Sequence, residues 1–234
     1  MKHVGIIVSA GKGLRVGGDI PKQYMDLGGK PVIFYSLDAM QKSFMDEIII
    51  VVGKGDENFV KEEIVDRFSF TKVTAIVAGG KERSDSVLCG LENIKNPERS
   101  YVYIQDAARP MLSIELLEKI KEDVEIYGSA VAGVKSKDTI KLVNDDGFVA
   151  TTPDRNYVWN IQTPQTFKAD ELIEAYRKMI NHPDIKVTDD SSVMEMYGEL
   201  PVHITEGAYN NIKITTSEDF FAAENFLKKI EKIS

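Results

Sequence analysis

The stretch Val4-Gly5-Ile6-Ile7-Val8-Ser9, running straight into Ala10-Gly11-Lys12-Gly13-Leu14-Arg15, carries the reading of the fold. An apolar, mostly β-branched run of this length is a strand, and one with almost no polar position must be covered on both faces, as strands of a parallel sheet are. The small residues behind it leave backbone N–H groups open to a phosphate that longer side chains would hold away. Outward from this unit the same rhythm repeats. Strands are expected at Ile48–Val52, Val73–Ala78, Tyr101–Gln105, Ala130–Val134 and Ile212–Thr215. Helical patterns lie between and after them at Pro31–Gln41, Asn58–Phe68, Ser84–Asn93, Ile114–Tyr127, Ala169–Ile180 and Ser217–Ile230. Strands alternating with helices imply an α/β fold around a mostly parallel sheet.

Composition narrows the class. The chain has 234 residues, 43% hydrophobic and 28% charged, as in an ordinary globular protein, and is expected to form one domain over residues 1–234. A single cysteine, Cys89, excludes an internal disulfide, and the scattered His3, His182 and His203 offer no structural metal cluster. With 29 Lys and Arg against 37 Asp and Glu, a broad basic face is not expected, so neither nucleic acid nor an acidic membrane is a predicted partner. No apolar run approaches the ~20 residues of a membrane span. The N-terminus lacks a signal-like core, and a cytoplasmic protein is expected.

One segment breaks the rhythm. From Ser136 to Asn160, charged and β-branched residues alternate around Asp145-Asp146-Gly147, a hairpin-turn signal. It reads either as a plain edge hairpin or as a β-arm able to join two copies of the chain.

Four groups of residues could carry chemistry. Ser9 to Arg15 with Lys22 offers backbone donors and two cations. A Walker A loop would need Ser or Thr after Gly11-Lys12, and a dinucleotide fingerprint would need Gly or Ala at Val16 and an acid closing the second strand. Gly79-Gly80, with Ser84 and Ser86 beyond, suits a base edge or ribose, or else Ser84 simply caps a helix with Glu82, Arg83 and Asp85 as its solvated first turn. Asp106-Ala107-Ala108-Arg109 ends a strand where ligands of open α/β sheets bind, and a carboxylate there can hold Mg²⁺. The last group comprises Arg155, Thr163, Thr188-Asp189 and Lys213. Lys213, read within an apolar strand, requires an anion, either a local carboxylate or a phosphate. Thr188-Asp189 could equally cap a helix.

In order and spacing these segments resemble the 2-C-methyl-D-erythritol 4-phosphate cytidylyltransferase family. The resemblance runs from Gly5 to about Phe226, through Ala10–Arg15, Pro21–Tyr24, Gly79-Gly80 with Glu82-Arg83 and Asp85–Val87, Asp106–Pro110, Asp138–Lys141, Gln162–Phe167, Thr188–Asp190 and Asn211–Thr216. It implies a Rossmann-like nucleotidyltransferase fold and Mg²⁺-dependent transfer of CMP from CTP to methylerythritol phosphate, with other divalent cations as possible substitutes. It also implies a homodimer embraced by the β-arm. Carried over by position, Ala10, Gly11, Arg15 and Lys22 would cradle the triphosphate, and Ser9, Gly80 and Ser86 would recognise cytosine. Asp106 would hold the metal, with Ala107 against the CTP ribose. Arg109, Thr163, Thr188 and Lys213 would surround the acceptor phosphate, and Thr139 and Arg155 would reach it from the neighbouring subunit. The chain has Ser9 where the family usually has Ala, Gln105 where His is frequent, and Asn210 where some members carry an acid. Two alternatives stand beside this implication: a ribitol 5-phosphate cytidylyltransferase, and a CTP-binding relative without catalysis.

Overall fold

The computed structural model describes residues 1–11, 20–182 and 186–231. Its centre is a seven-stranded sheet ordered β11-β7-β10-β6-β1-β4-β5. These strands are β1 (Lys2–Ser9), β4 (Glu47–Val52), β5 (Val73–Ala78), β6 (Ser100–Asp106), β7 (Ser129–Lys135), β10 (Trp159–Lys168) and β11 (Ile204–Glu206). A tiny hairpin of β2 (Asp26–Leu27) and β3 (Lys30–Pro31), and a ribbon of β8 (Leu142–Val143) and β9 (Val149–Thr151), stand outside it. Strand β1 pairs in parallel with β4 and β6, and β4 with β5, whereas β10 runs antiparallel between β6 and β7.

The apolar runs are explained by the two cores. Along β4, Ile48, Ile50 and Val52 face one layer of helices while Ile49 and Val51 face the other, the period of two that a strand imposes. The first layer is α1 (Val32–Lys42) and α4 (Ile114–Tyr127), which bury Leu37, Met40, Leu117, Ile120 and Val124. The second is α3 (Arg83–Leu91), α5 (Ala169–Ile180) and α6 (Asp190–Tyr197), burying Val87, Leu91, Leu172, Tyr176 and Met194. Each such side chain contributes about 1.5–3 kcal/mol when fully buried. A third, small cluster packs Leu27, Val32, Ile214 and Ala223 under α7 (Ser217–Glu231).

Three sequence expectations are corrected. Residues Ile212–Thr215 form no strand: the segment is an extended strap whose Ile214 N–H donates to Ala108 O at 2.8 Å, and Ile214 is apolar because it fills the third cluster. Strands β10 and β11 were not expected, since Thr, Gln and Pro in Trp159–Lys168 conceal a strand whose polar residues make buried hydrogen bonds. The stretch Asn58–Phe68 is not one regular helix but a short turn of α2 (Glu57–Val60) continued by a π-helical turn over Lys61–Asp66. The segment around Asp145-Asp146-Gly147 does form a hairpin, with Gly147 at φ 83° and its N–H donating to Asn144 O at 3.0 Å.

At the start of β1, the buried His3 ring lies 2.9 Å from Tyr103 Oη and packs edge-on to Phe44. Burial, reinforced by Lys121, holds its pKa below the ordinary value against the opposing pull of Glu125 and Asp46. The unfolded chain therefore binds a proton that the folded chain resists, and stability falls as pH drops below about 6.5. His3→Gln is expected to flatten the fall in urea midpoint between neutral and mildly acid pH, and an unchanged slope would remove His3 as its source.

Candidate active site

A cleft of about 530 Å³ opens at the carboxyl ends of the central strands, lined by Ser9, Ala10, Gly11, Lys22, Gly80, Ser86, Asp106, Ala107 and Lys213 among others. This is where parallel strand ends point their backbone and loops toward a ligand. The sheet register builds it: Val8 on β1 stands opposite Asp106 on β6, and Ala107 N–H donates to Val8 O at 3.1 Å. Gln23, nearly sealed from solvent, donates its side-chain amide to Ser9 O at 2.7 Å and Gly11 O at 2.9 Å, pinning the start of the glycine loop. Arg15 lies outside the described residues.

Close approach explains the paired glycines. A Cβ at Gly79 would lie 2.6 Å from both Ala10 Cβ and Ser86 Oγ, and one at Gly80 2.2 Å from Asp85 Cβ. Ser86 Oγ accepts from Gly80 N–H at 3.2 Å and donates to Glu82 O at 3.0 Å, so the loop is tied to the first turn of α3. Gly79→Ala is expected to cost about 1–3 kcal/mol by overpacking and to raise KM for the ligand of the cleft by displacing Ala10. Urea denaturation and steady-state kinetics check the two parts.

Asp106 is the electrostatic centre. Its Oδ2 is 2.7 Å from Lys213 Nζ and 3.9 Å from Arg109 Nε, and its Oδ1 accepts from Arg83 Nε at 3.1 Å. Burial opposes its charge, but Arg83, Lys213 and Arg109 together outweigh this and hold the carboxyl well below the usual carboxylate range. Asp106 N–H donates to Thr163 Oγ1 at 3.1 Å, and that hydroxyl donates to Gln105 Oε1 at 2.9 Å. Thr163 stands there because the pairing of β10 with β7 is interrupted between Ile161 and Gln165, and such irregularities re-aim side chains. Arg109 donates to Asn211 O at 2.7 Å, and Asn211 in turn donates to Thr163 O at 2.9 Å. Lys22 Nζ donates to Ile214 O at 2.6 Å, joining the glycine-loop side of the cleft to the strap that carries Lys213.

The remaining predicted residues lie apart. Thr188 is exposed in a neighbouring groove with Arg83 and Asp189, and its N–H donates to Ser192 Oγ at 3.0 Å. Asp189 caps α6, accepting from Ser192 N–H at 2.9 Å, as the helix-cap alternative expected. Thr139 and Arg155 are exposed beside the β8–β9 ribbon and do not line this cleft. Two cleft residues were missed by sequence reasoning. Gln23 was quoted only as part of a motif, and Arg83 was read as part of a solvated turn. Ser84 is not the cap: Glu82 is, in a reciprocal pair with Asp85, and Arg83 turns inward to two carboxylates.

Among the described residues no group of three or more His, Cys, Asp or Glu could hold a metal. A lone carboxylate fits a hard cation that takes most of its oxygens from nucleotide phosphates and water, which is the habit of Mg²⁺.

The sequence profile of 2-C-methyl-D-erythritol 4-phosphate cytidylyltransferase matches residues 3–229. The chain belongs to the 2-C-methyl-D-erythritol 4-phosphate cytidylyltransferase family. A family member of that name from Lachnoclostridium phytofermentans is 42% identical over 228 residues, covering 97% of each chain. Another, from Lachnospira eligens, is 44% identical over 97% of this chain and 99% of its own. Among solved structures, 4-diphosphocytidyl-2C-methyl-D-erythritol synthase from Anaerococcus prevotii superposes with a TM-score of 0.85 at 35% identity, over 97% of this chain and 98% of that one. The cytidylyltransferase from Francisella tularensis does so with 0.78 at 29% identity, over 97% and 99% respectively. The nucleotidyltransferase fold expected of the cytidylyltransferase family is therefore present. No described helix is long and apolar enough to cross a membrane.

Proposed function

We propose that the chain transfers CMP from CTP to 2-C-methyl-D-erythritol 4-phosphate, giving 4-diphosphocytidyl-2-C-methyl-D-erythritol and pyrophosphate in isoprenoid biosynthesis. Membership of the family supports the reaction. The observation that carries the site is the convergence of backbone from Ser9–Gly11 and Gly80, the Asp106 carboxylate and the Lys22 and Lys213 ammonium groups on one cleft.

The chemistry matches this inventory. An oxygen of the acceptor phosphate attacks the α-phosphorus of CTP, a new P–O bond forms, and the bond to the β-phosphate oxygen breaks as pyrophosphate leaves. The attacking oxygen is already anionic near neutral pH, so no general base is required. What the protein supplies is alignment and compensation of negative charge. Ser9, Gly80 and Ser86 line the base side, Ala10, Gly11, Arg15 and Lys22 hold the triphosphate, and Ala107 sits against the ribose. Lys213, Arg109, Thr163 and Thr188 serve the acceptor, with Lys213 aimed by Asp106 at 2.7 Å. Asp106 is also the residue that would hold Mg²⁺, which supplies further neutralisation of the phosphates when bound.

Thr139 and Arg155 serve the acceptor in a second copy of the chain. Their exposure beside the ribbon supports this, as do Leu142, Val143, Phe148, Val149 and Tyr157, all more than half exposed. Apolar groups clustered this way favour burial against a partner.

Pyrophosphate release with CTP and Mg²⁺ tests the reaction, comparing methylerythritol 4-phosphate with ribitol 5-phosphate. Preference for the first is expected. Preference for ribitol phosphate would reassign the acceptor, and CTP binding without turnover on either would make the chain a non-catalytic relative.

A further inference from the structure

The buried polar network behind the cleft reaches beyond the residues that would touch substrate. The Arg83 guanidinium donates from Nη1 to Asp190 Oδ1 at 3.1 Å and from Nη2 to Asp190 Oδ2 at 2.8 Å, while its Nε donates to Asp106 Oδ1 at 3.1 Å. Tyr176 Oη donates to Asp190 Oδ1 at 2.5 Å. The Asp190 side chain has 0% exposure, against 28% for Arg83. Arg83 is thus a partly exposed guanidinium held between two buried carboxylates, Asp190 at 0% and Asp106 at 9%.

We propose that Arg83 is a positioning residue of the transfer, holding the Asp106 carboxylate by a guanidinium that buried Asp190 locks from behind. The inference rests on the cytidylyl-transfer reading. A carboxylate sealed from water must be paired and hydrogen-bonded, so Asp190 dictates where the guanidinium lies. A two-pronged Arg–carboxylate pair also fixes the plane of the fork, and in that plane the remaining Nε–H meets Asp106. Lys213, the other close cation on Asp106, is 38% exposed and comes from a strap outside the sheet. Arg83 therefore fixes Asp106, and Lys213 remains the cation that can turn to an incoming phosphate.

The location gives the network a second consequence. Arg83 opens α3 just behind Gly79-Gly80, and Asp190 opens α6 just behind Thr188-Asp189. One guanidinium thus sets the spacing between the proposed cytosine side and the proposed acceptor side. A lysine could keep the charge at this position, but its N–H groups all radiate from one nitrogen and cannot reproduce the planar fork that spans two carboxylates.

The test uses the full chain with CTP, Mg²⁺ and methylerythritol 4-phosphate, and ribitol 5-phosphate if that is the better acceptor. Arg83→Lys is expected to lower kcat by ~10²-fold, the scale of a small misplacement of reacting groups, with KM for CTP little changed. Asp190→Asn, which touches no substrate, should lower kcat in the same way and add little on top of Arg83→Lys, because both act through one contact. The core variant Ile120→Val, compared by urea midpoint, should keep wild-type kcat and so separate positioning from loss of stability. Should Arg83→Lys fail to fold, the split between kcat and KM in Asp190→Asn decides. An active wild type with Arg83→Lys or Asp190→Asn within about twofold of its kcat, or with activity lost only in step with folded population, would overturn the inference alone. A wild type inert with both acceptors would overturn the reading and the inference together.

Discussion

Lys22→Ala is expected to lower kcat by ~10²-fold or more, the scale of losing one preorganised charge-stabilising donor. Lys22 begins the short helical turn Lys22–Tyr24, and the next residue, Gln23, is anchored on Ser9 O and Gly11 O. Its ammonium meets Ile214 O at 2.6 Å, one residue beyond Lys213. It is thus held between the two lips of the cleft, where negative charge would build on the departing pyrophosphate. A carbonyl already placed beside the ammonium limits its search among rotamers, so its position costs little at the moment of reaction. Steady-state pyrophosphate release reads the effect directly. Near wild-type kcat in Lys22→Ala would remove the residue from the charge-compensating set. Arg15, outside the described residues, carries the same expectation from sequence alone.

The second large effect is expected from the arm. Arg155→Ala and Lys213→Ala should each lower activity by ~10²-fold or more, on the same charge-loss scale, although Arg155 does not line the cleft of its own chain. Co-expressed, the two variants should recover about a quarter of wild-type activity if the proposed dimer forms, because half of the pairs would then be mixed and one of their two sites would be intact. The Arg155→Ala chain lends an intact Lys213 cleft, and the Lys213→Ala chain lends an intact arm. Arg155 opens the turn Arg155–Tyr157, steadied by Asp154, whose carboxylate accepts from Asn156 N–H at 3.0 Å. The flanking Phe148 and Tyr157 are 73% and 83% exposed, so subunit contact would remove large apolar surfaces from water. No recovery on co-expression would show that the arm does not complete a partner's site, and an active Arg155→Ala would remove the residue from the acceptor set.

What was legible in the sequence follows from local rules. The run Ile48–Val52 reads as a doubly covered strand because both of its faces are apolar, and it lies between two helical layers. Gly79-Gly80 reads as an exposed loop ahead of a helix, and the structure adds that its backbone packs closely on Ala10 and Ser86. The pattern Ile114–Tyr127 reads as a helix and is α4, which the structure caps with Ser113 at one end and Gly128, at φ 79°, at the other. By contrast, Ile212–Thr215 alternates like a strand but is a strap, since alternation records which side chains are buried and not whether the backbone finds a ladder partner. Trp159–Lys168 is a full strand of the central sheet, yet its Gln162, Thr163 and Gln165 gave no apolar pattern because they serve buried polar contacts.

Local chemistry and spacing in the chain determined the α/β class, the glycine loops, the position of Asp106 at a strand end and the hairpin turn, and motif order carried the resemblance to the family. Each of these depends on neighbours in sequence, through strand period, glycine conformation or motif order. Only the tertiary structure decided that Asp106 is shared among Arg83, Arg109 and Lys213, that Gln23 pins the glycine loop, and that Asp190, 107 residues from Arg83, locks its guanidinium. A charged side chain in a helix's first turn looks the same in sequence whether it faces water or a buried carboxylate. What separates the two is the partner that folding brings to it, and that partner lies far along the chain.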